Sequence, residues 1–184
     1  IVGGGSVAER KIDTLLKFDA DITVVSPAAT ARIKQLALQG SIDLIFEEYN
    51  KKHIRDALIV IAATSDREVN NKIYKDAVQS NIFVNVVDSP EECTFIFPSV
   101  VKRGEMVVGI STSGSFPIVS KTVKRKIEEL FPDNFGEIVE LLKQSRDRVL
   151  KSIQDEDLRR ELLNNIMNSI MSLDKKASTK EIRK

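Results

Sequence analysis

The feature that most constrains this chain is a glycine turn at its start. Two apolar residues run into Gly3, Gly5 and Ala8, which stand in the spacing G-x-G-x-x-A. Glycine permits a tight turn, and a small third residue lets a helix pack close to its strand. The stretch that follows is amphipathic, with apolar residues at Val7, Ile12, Leu15 and Leu16. The pattern therefore predicts a strand, a turn and a helix.

A turn of this kind suits a phosphate ligand. Gly5 has no side chain to keep a pyrophosphate away from the backbone, and the unpaired N–H groups at the start of the helix favour negative charge. A glycine turn that serves packing alone shows the same pattern. The strands and helices that follow have to decide between these two interpretations.

Short apolar segments alternate with amphipathic ones over the next part of the chain. Residues 21–25, 43–46, 57–62 and 83–87 have the composition of buried strands, and helical periodicity lies between them. This alternation predicts an α/β fold with a Rossmann-type parallel sheet and right-handed crossovers. Ligands of such sheets lie outside the carboxyl ends of the strands, so we expect the loop after residue 62 to face the same crevice as the glycine turn.

The pattern changes after Asp88. Residues 93–97 and 106–110 read as strands separated by Pro98 and a basic turn at 102–104, with no crossover helix between them. We expect a small separate sheet, followed by a helix that begins at Pro117. A two-stranded unit is marginal alone, so partner strands in a homodimer are expected to cover its edges.

These observations predict three regions. Residues 1–90 form the nucleotide-binding domain, with a truncated N-terminus because the chain starts inside a strand; residues 91–131 form the dimerisation strands and helix; and residues 132–184 form a C-terminal helical region. A polar tail is predicted from about Asp174.

Composition excludes several functional classes. The net charge of +1 argues against nucleic-acid binding, and no apolar run has the length of a membrane span. The single cysteine, Cys93, cannot form an internal disulfide, so we expect a cytoplasmic protein in which Cys93 is a small buried residue. The single histidine, His53, lies in a polar stretch and is expected at the surface. We predict no resident metal site.

Five motifs in a fixed order point to one family. They are Gly3-Gly4-Gly5-x-Val7-Ala8-x-Arg10-Lys11, Ala62-Ala63-Thr64-x-Asp66 with Asn70, Asn85-Val-Val-Asp88, Phe95-x-x-Pro98-Ser99, and Ile110-Ser-Thr112 before a glycine and a proline. In this order they resemble the precorrin-2 dehydrogenase and sirohydrochlorin ferrochelatase family, the N-terminal module of siroheme synthase. The resemblance extends to about residue 130.

The resemblance implies a homodimeric, NAD-dependent enzyme that oxidises precorrin-2 to sirohydrochlorin, followed in some members by insertion of ferrous iron. It places Gly3, Gly5, Ser6 and Val7 at the pyrophosphate, Pro27 and Ala28 near the adenosine, and Thr64 and Asp66 beside the nicotinamide half. Asp88 matches the acid-base residue of both reactions, and Thr112 lies in the loop facing the tetrapyrrole.

The carboxylates of a tetrapyrrole call for donors. Thr112 and Ser113, with Lys102, Arg103 and Lys121, are the candidates near the predicted substrate loop. Each of these candidate residues also has an ordinary structural interpretation. The basic residues could be a solvated helix face and turn, Thr64 to Asp66 a helix N-cap, and Asp88 a turn cap before Pro90.

Two other functional interpretations remain. A nicotinamide-sensing regulatory domain would share the glycine turn without performing chemistry, but it would need neither Asp88 nor the second sheet. The second of these is a degenerate family member kept for dimerisation or cofactor binding. Its only support is the residues Ser113 and Phe116.

Overall fold

A computed structural model describes residues 1–172 and divides the chain into two compact units, between Phe97 and Pro98. The predicted tail from Asp174 lies outside the described residues. The division into three regions at residues 90 and 131 stays a prediction. Within residues 1–172, no helix is long and apolar enough to cross a membrane.

The first unit contains three α-helices and four short strands. The helices are α1 (Ser6–Leu15), α2 (Ala31–Leu38) and α3 (Arg67–Gln79), and the strands are β1 (Thr23–Val25), β2 (Asp43–Ile45), β3 (Ile59–Ala62) and β4 (Phe83–Val86). Short 3₁₀ helices cover Leu16–Phe18, Lys51–Ile54 and Pro90–Glu92.

The strands form a parallel sheet whose centre is Val2. β1 pairs with β2 and β3 pairs with β4, all in parallel, and Val2 bridges Val25 on one side and Ala62 on the other. The order is therefore β2, β1, Val2, β3, β4, which is the order of a Rossmann-type sheet. This confirms the predicted α/β class, and the carboxyl ends of these segments meet at one edge.

Apolar side chains from the helices and strands form two buried clusters against this sheet. One contains Ala8, Ile12, Val24, Ile33 and Leu36 from the first half of the unit. The other contains Val60, Ala62, Ile73, Val84 and Val86 from the second half. Ile12, Ile33 and Ile73 are fully buried, so one face of each helix is fixed on the sheet.

The prediction of a strand at residues 93–97 is wrong. The segment lies along the outer edge of β4, where Thr94 N donates to Val84 O at 2.8 Å and Val84 N donates to Thr94 Oγ1 at 2.8 Å. Asn85 Nδ2 donates to Phe95 O at 3.1 Å. Because the side chains of Thr94 and Asn85 supply two of these three bonds, the segment covers the edge without becoming a strand.

The second unit begins with the hairpin that the sequence placed a few residues too early. β5 (Ser99–Arg103) pairs antiparallel with β6 (Met106–Ile110), and α4 (Pro117–Leu130), α5 (Phe135–Ser152) and α6 (Glu156–Ser172) follow. The predicted basic turn at 102–104 is thus mostly strand, and Gly104, with a φ of 57°, begins the turn. The strand at 106–110 and the helix starting at Pro117 are confirmed.

Candidate nucleotide-binding site

The glycine turn lies between two backbone segments that leave it little room. A Cβ on Gly3, whose φ is +115°, would stand 2.4 Å from Ala63 O, and a Cβ on Gly4 would stand 2.1 Å from Ala28 O. A Cβ on Gly5 would meet nothing within 4 Å. The turn is therefore packed against the loops after β1 and β3 and is open to a ligand at Gly5.

The N-terminus of α1 opens into the same space. Gly5 is its N-cap, and the described structure shows no side chain bonded to the N–H groups of its first turn. Gly5 and Ser6 are exposed and Val7 is half-buried. Unpaired N–H groups and the helix dipole both favour an anion, so Gly5, Ser6 and Val7 offer a place for a pyrophosphate. Gly3, which is also predicted to contact it, is buried, and all four contacts stay predictions.

The residues predicted to lie near an adenosine follow β1 directly. Ser26 is buried, and its backbone N–H donates to Ile45 O at 3.0 Å, whereas Pro27 and Ala28 are exposed. The next basic residue along the chain, Arg32, forms an ion pair with Asp13 of α1 at 3.5 Å. The stretch 26–28 therefore offers neither an acid nor a base to a ribose.

Asp66 is the N-cap of α3, and the Thr64 hydroxyl accepts from Asp66 N at 3.1 Å. Asp66 Oδ1 accepts from the backbone N–H groups of Glu68 and Val69 at 2.8 and 3.2 Å. The Thr64 hydroxyl lies 2.8 Å from Oδ1 of Asn70, and Nδ2 of Asn70 donates back to Thr64 O at 3.1 Å. The capping interpretation therefore accounts for these side chains, while their contact with a nicotinamide remains a prediction.

Asp88 lies in a tight turn after β4. Ser89 N donates to Val86 O over 3.4 Å, and Asp88 occupies the third position of this turn with a φ of 61°. Its side chain is exposed, so its own unit does not shield the carboxylate from water. The reason is local, because the chain turns away at Ser89 and the 3₁₀ helix at Pro90–Glu92 leaves the carboxylate uncovered within its unit.

The remaining candidates belong to the second unit. Arg103 is occupied there: its Nε donates to Phe131 O at 2.9 Å and Pro132 O at 3.1 Å, and its guanidinium pairs with Asp133 at 3.1 Å. These contacts anchor the carbonyls at the end of α4, so Arg103 is a structural residue and not a free donor. Lys102 lies on β5, half-buried, and Lys121 is exposed on α4.

The loop that carries Thr112 and Ser113 has a turn structure of its own. Phe116 N donates to Thr112 Oγ1 at 3.3 Å, and Ser113 N donates to Ser111 Oγ at 3.1 Å. Ser113 has a φ of 51° and is exposed. The loop therefore presents hydroxyl groups at the start of α4, where a contact with substrate stays a prediction.

The contact between Lys11 and Phe97 was not predicted from the sequence. Lys11 Nζ lies 4.2 Å from the ring centroid of Phe97, and burial lowers the pKa of this lysine. Burial likewise raises the pKa of Cys93, which packs against the core beside β4. Lys11 belongs to the first sequence motif and could be singled out from it. Phe97 lies too far along the chain for periodicity to pair it with Lys11.

His53 corrects a surface prediction. Its side chain is only 5% exposed, Nδ1 accepts from Asn50 N at 3.1 Å, and Nε2 lies 3.0 Å from Glu47 Oε2. The imidazole therefore caps a 3₁₀ helix. Among residues 1–172, no group of three or more His, Cys, Asp or Glu side chains could hold a metal ion.

Comparison with known proteins gives three kinds of similarity. A family model described as "Putative NAD(P)-binding" matches residues 1–99. A siroheme synthase of Psychrobacter cryohalolentis is 41% identical over 153 residues, which is 83% of this chain and 29% of that protein. A siroheme synthase of Pseudoalteromonas translucida is 37% identical over 169 residues, 92% of this chain and 36% of that protein.

The chain thus spans about a third of the length of these curated relatives. A solved structure described as SirC, precorrin-2 dehydrogenase, matches 99% of this chain and 88% of its own with a TM-score of 0.75. The sequence identity to that structure is 24%, so this similarity concerns the fold.

Proposed function

Because the chain belongs to the NAD(P)-binding family that matches its residues 1–99, we propose that it uses NAD to oxidise precorrin-2 to sirohydrochlorin. The family match confirms the nicotinamide cofactor that the family resemblance implies. The siroheme synthases that align with most of the chain confirm the family resemblance and support the substrate. The comparisons give no support to the regulatory-domain alternative.

One observation carries the proposal. Asp88 follows β4 at the same edge of the sheet where the glycine turn follows Val2, with only β3 between these two segments. Neighbouring strands lie about 4.8 Å apart, so the two sites are roughly 10 Å apart across the sheet. A dinucleotide held by its pyrophosphate at Gly5 would extend along this edge towards the Asp88 carboxylate.

The residues of the chain have separate roles in this reaction. Gly5, Ser6 and Val7 hold the pyrophosphate with backbone N–H groups. NAD, when bound, supplies the acceptor for the hydride that leaves precorrin-2. The carboxylate of Asp88 accepts the proton that leaves with it and later releases this proton to solvent. Because Asp88 is exposed in its own unit, the bound tetrapyrrole itself has to exclude water from this carboxylate.

Four residues of the second unit remain proposed contacts for the tetrapyrrole: Thr112, Ser113, Lys102 and Lys121. The lysines would form charge-assisted hydrogen bonds with substrate carboxylates, and the hydroxyls of the loop would donate to them. Arg103 is left out because its donors already bind carbonyls and a carboxylate in its own unit.

Iron insertion is a separate proposal. If ferrous iron is a substrate, Asp88 is the group that would accept the pyrrole protons, and the macrocycle would supply the nitrogen ligands. Sirohydrochlorin given ferrous ion under anaerobic conditions would then change to the siroheme spectrum faster with the protein than without it. An unchanged rate would limit the activity to dehydrogenation.

We also propose a cytoplasmic homodimer. Both outer edges of the β5–β6 hairpin lack strand partners within the described chain, and Ile118, Val119 and Val123 of α4 are exposed. A second copy would cover both the edges and these apolar side chains.

The test is a turnover assay with enzymatically generated precorrin-2. We expect NADH and sirohydrochlorin to appear together in equal amounts, and neither to appear without NAD. Binding of NAD by calorimetry with no turnover would overturn the enzymatic proposal in favour of the regulatory domain. Absence of NAD binding would overturn the cofactor assignment itself.

A further inference from the structure

The turn that carries Asp88 needs an anchor. A non-glycine residue with a φ of 61° occupies sparsely populated backbone, which persists only where surrounding contacts hold it. On one side the sheet supplies such a contact, since Val87 N donates to Ala62 O at 3.0 Å. On the other side the chain leaves the sheet at Ser89, which is buried.

The thiol of Cys93 bridges both ends of this turn. Val86 N donates to Sγ at 3.3 Å, and the thiol can donate to Ser89 O at 3.2 Å or to Val86 O at 3.3 Å. Nδ2 of Asn85 also donates to Sγ, at 3.4 Å. Val86 and Ser89, the first and last residues of this turn, therefore share one side-chain partner.

The next residue, Thr94, provides a natural contrast. Its hydroxyl accepts from Val84 N at 2.8 Å and lies 3.3 Å from Val84 O. Val84 lies inside β4, two residues before the strand ends, so Thr94 secures the strand and not the turn. The two neighbours thus make comparable side-chain contacts with different targets.

We propose that Cys93 is a positioning residue for precorrin-2 oxidation, because its thiol fixes the turn from which the Asp88 carboxylate reaches the substrate. The inference rests on the proposed function of Asp88. Cys93 itself touches neither substrate nor cofactor in this role. It acts through geometry, and small misplacements of a reacting group are known to cost up to about 10²-fold in rate.

The experiment compares Cys93→Ala, Cys93→Ser and Thr94→Val in the full chain. For Cys93→Ala we expect kcat to fall roughly 10–100-fold, with the Kd of NAD unchanged because the glycine turn is intact. Serine keeps a donor and an acceptor at the same place, so Cys93→Ser should recover most of kcat. Thr94→Val should keep the wild-type kcat even if it lowers the melting temperature.

A double-mutant cycle separates positioning from general destabilisation. If Cys93 acts through Asp88, then Cys93→Ala causes no further loss of kcat in an Asp88→Asn background. Wild-type kcat in Cys93→Ala, or an equal fold-loss with and without Asp88, would overturn the proposal.

Failure of the proposed function gives a different result. A wild-type protein that binds NAD without turning over precorrin-2 would overturn the catalytic part of the inference. Hydrogen exchange of the backbone amides of residues 86–92 then tests by itself whether the thiol anchors the turn. Faster exchange in Cys93→Ala than in Thr94→Val supports the thiol anchor, and equal exchange overturns it.

Discussion

At the scale of single residues, the glycine turn separates positions needed for packing from the position open to a ligand. A methyl group on Gly4 would stand 2.1 Å from Ala28 O, whereas a methyl group on Gly5 would meet nothing within 4 Å. The two glycines therefore have different roles, although they are neighbours of the same residue type.

We predict that Gly4→Ala mainly lowers stability, whereas Gly5→Ala mainly weakens NAD binding. Gly4→Ala should lower the free energy of unfolding by about 1–3 kcal/mol through overpacking. Gly5→Ala should lower it by less, about 0.5–1 kcal/mol, because alanine is a poorer helix N-cap than glycine, but should weaken NAD binding about tenfold or more, a cost of about 1.4 kcal/mol. Urea unfolding and calorimetry measure both quantities. Unchanged NAD affinity in Gly5→Ala would contradict a pyrophosphate at this position.

Residues 26–28 set the choice between NAD and NADP. No basic side chain lies in this stretch to pair with a 2′-phosphate, and Arg32 is already paired with Asp13. We predict that NADP binds at least about tenfold more weakly than NAD. Titration calorimetry with both cofactors measures the difference, and equal or tighter binding of NADP would show that this interpretation is wrong.

The thiol of Cys93 gives a pH dependence of stability. Burial raises its pKa, so the unfolded chain loses this proton at lower pH than the folded protein does. The contribution to stability is therefore complete below the unfolded pKa of about 8.5 and is lost as pH rises through the folded pKa.

We predict that wild type loses more of its unfolding free energy than Cys93→Ser between neutral pH and about pH 10. Urea unfolding of both proteins at the two pH values isolates the thiol, because every other titrating group is shared. Equal losses in the two proteins would contradict a half-buried thiol whose pKa is raised.

At the scale of elements, the sequence predicted helices and parallel strands better than the hairpin. Hydrophobic periodicity identified α3 and α4, and Pro117 marked the start of α4 correctly. The segment 93–97 has the apolar composition of a strand, but side chains of the segment or of Asn85 in β4 take part in most of its bonds to β4. Such a substitution depends on tertiary neighbours, which local pattern cannot reveal.

Helix α4 presents apolar side chains that its own unit does not cover. Ile118 is 68% exposed and Val119 44% exposed, which is typical of a surface that meets a partner. We predict that Ile118→Asp converts the proposed homodimer to monomers without unfolding the helix, because an acid in its first turn suits the helix dipole. Light scattering at micromolar concentration gives the mass.

The matched control for that variant lies in the first unit. Leu38 is 90% exposed near the end of α2, and Leu38→Lys suits the dipole at that end. It should leave the mass unchanged. A wild-type mass equal to one chain would contradict the dimer directly.

At the scale of the whole molecule, the sheet brings functional residues together from distant parts of the sequence. The alternation of strands and helices predicted that loops after parallel strands share one edge, and the structure has them there. The strand order, with Val2 between β1 and β3, could not be predicted from periodicity and becomes visible only in the pairing. The exposure of Asp88 was also missed, because it depends on how the chain leaves β4.

The central claim is that Asp88 accepts the proton in precorrin-2 oxidation, and Asp88→Asn tests it most directly. Asparagine tolerates left-handed backbone, so the turn at φ 61° survives while the carboxylate is lost. Asp19 offers a matched control, since it is exposed at a φ of 53°, beyond the C-terminal end of α1. Asp19→Asn should behave as wild type.

The measurement is sirohydrochlorin formation per folded molecule, at saturating NAD, for wild type, Asp88→Asn and Asp19→Asn. We expect Asp88→Asn to retain NAD affinity and melting temperature while kcat falls about 10²–10⁴-fold, the usual worth of a general base. Near-wild-type kcat in Asp88→Asn would show that Asp88 serves only as a turn residue.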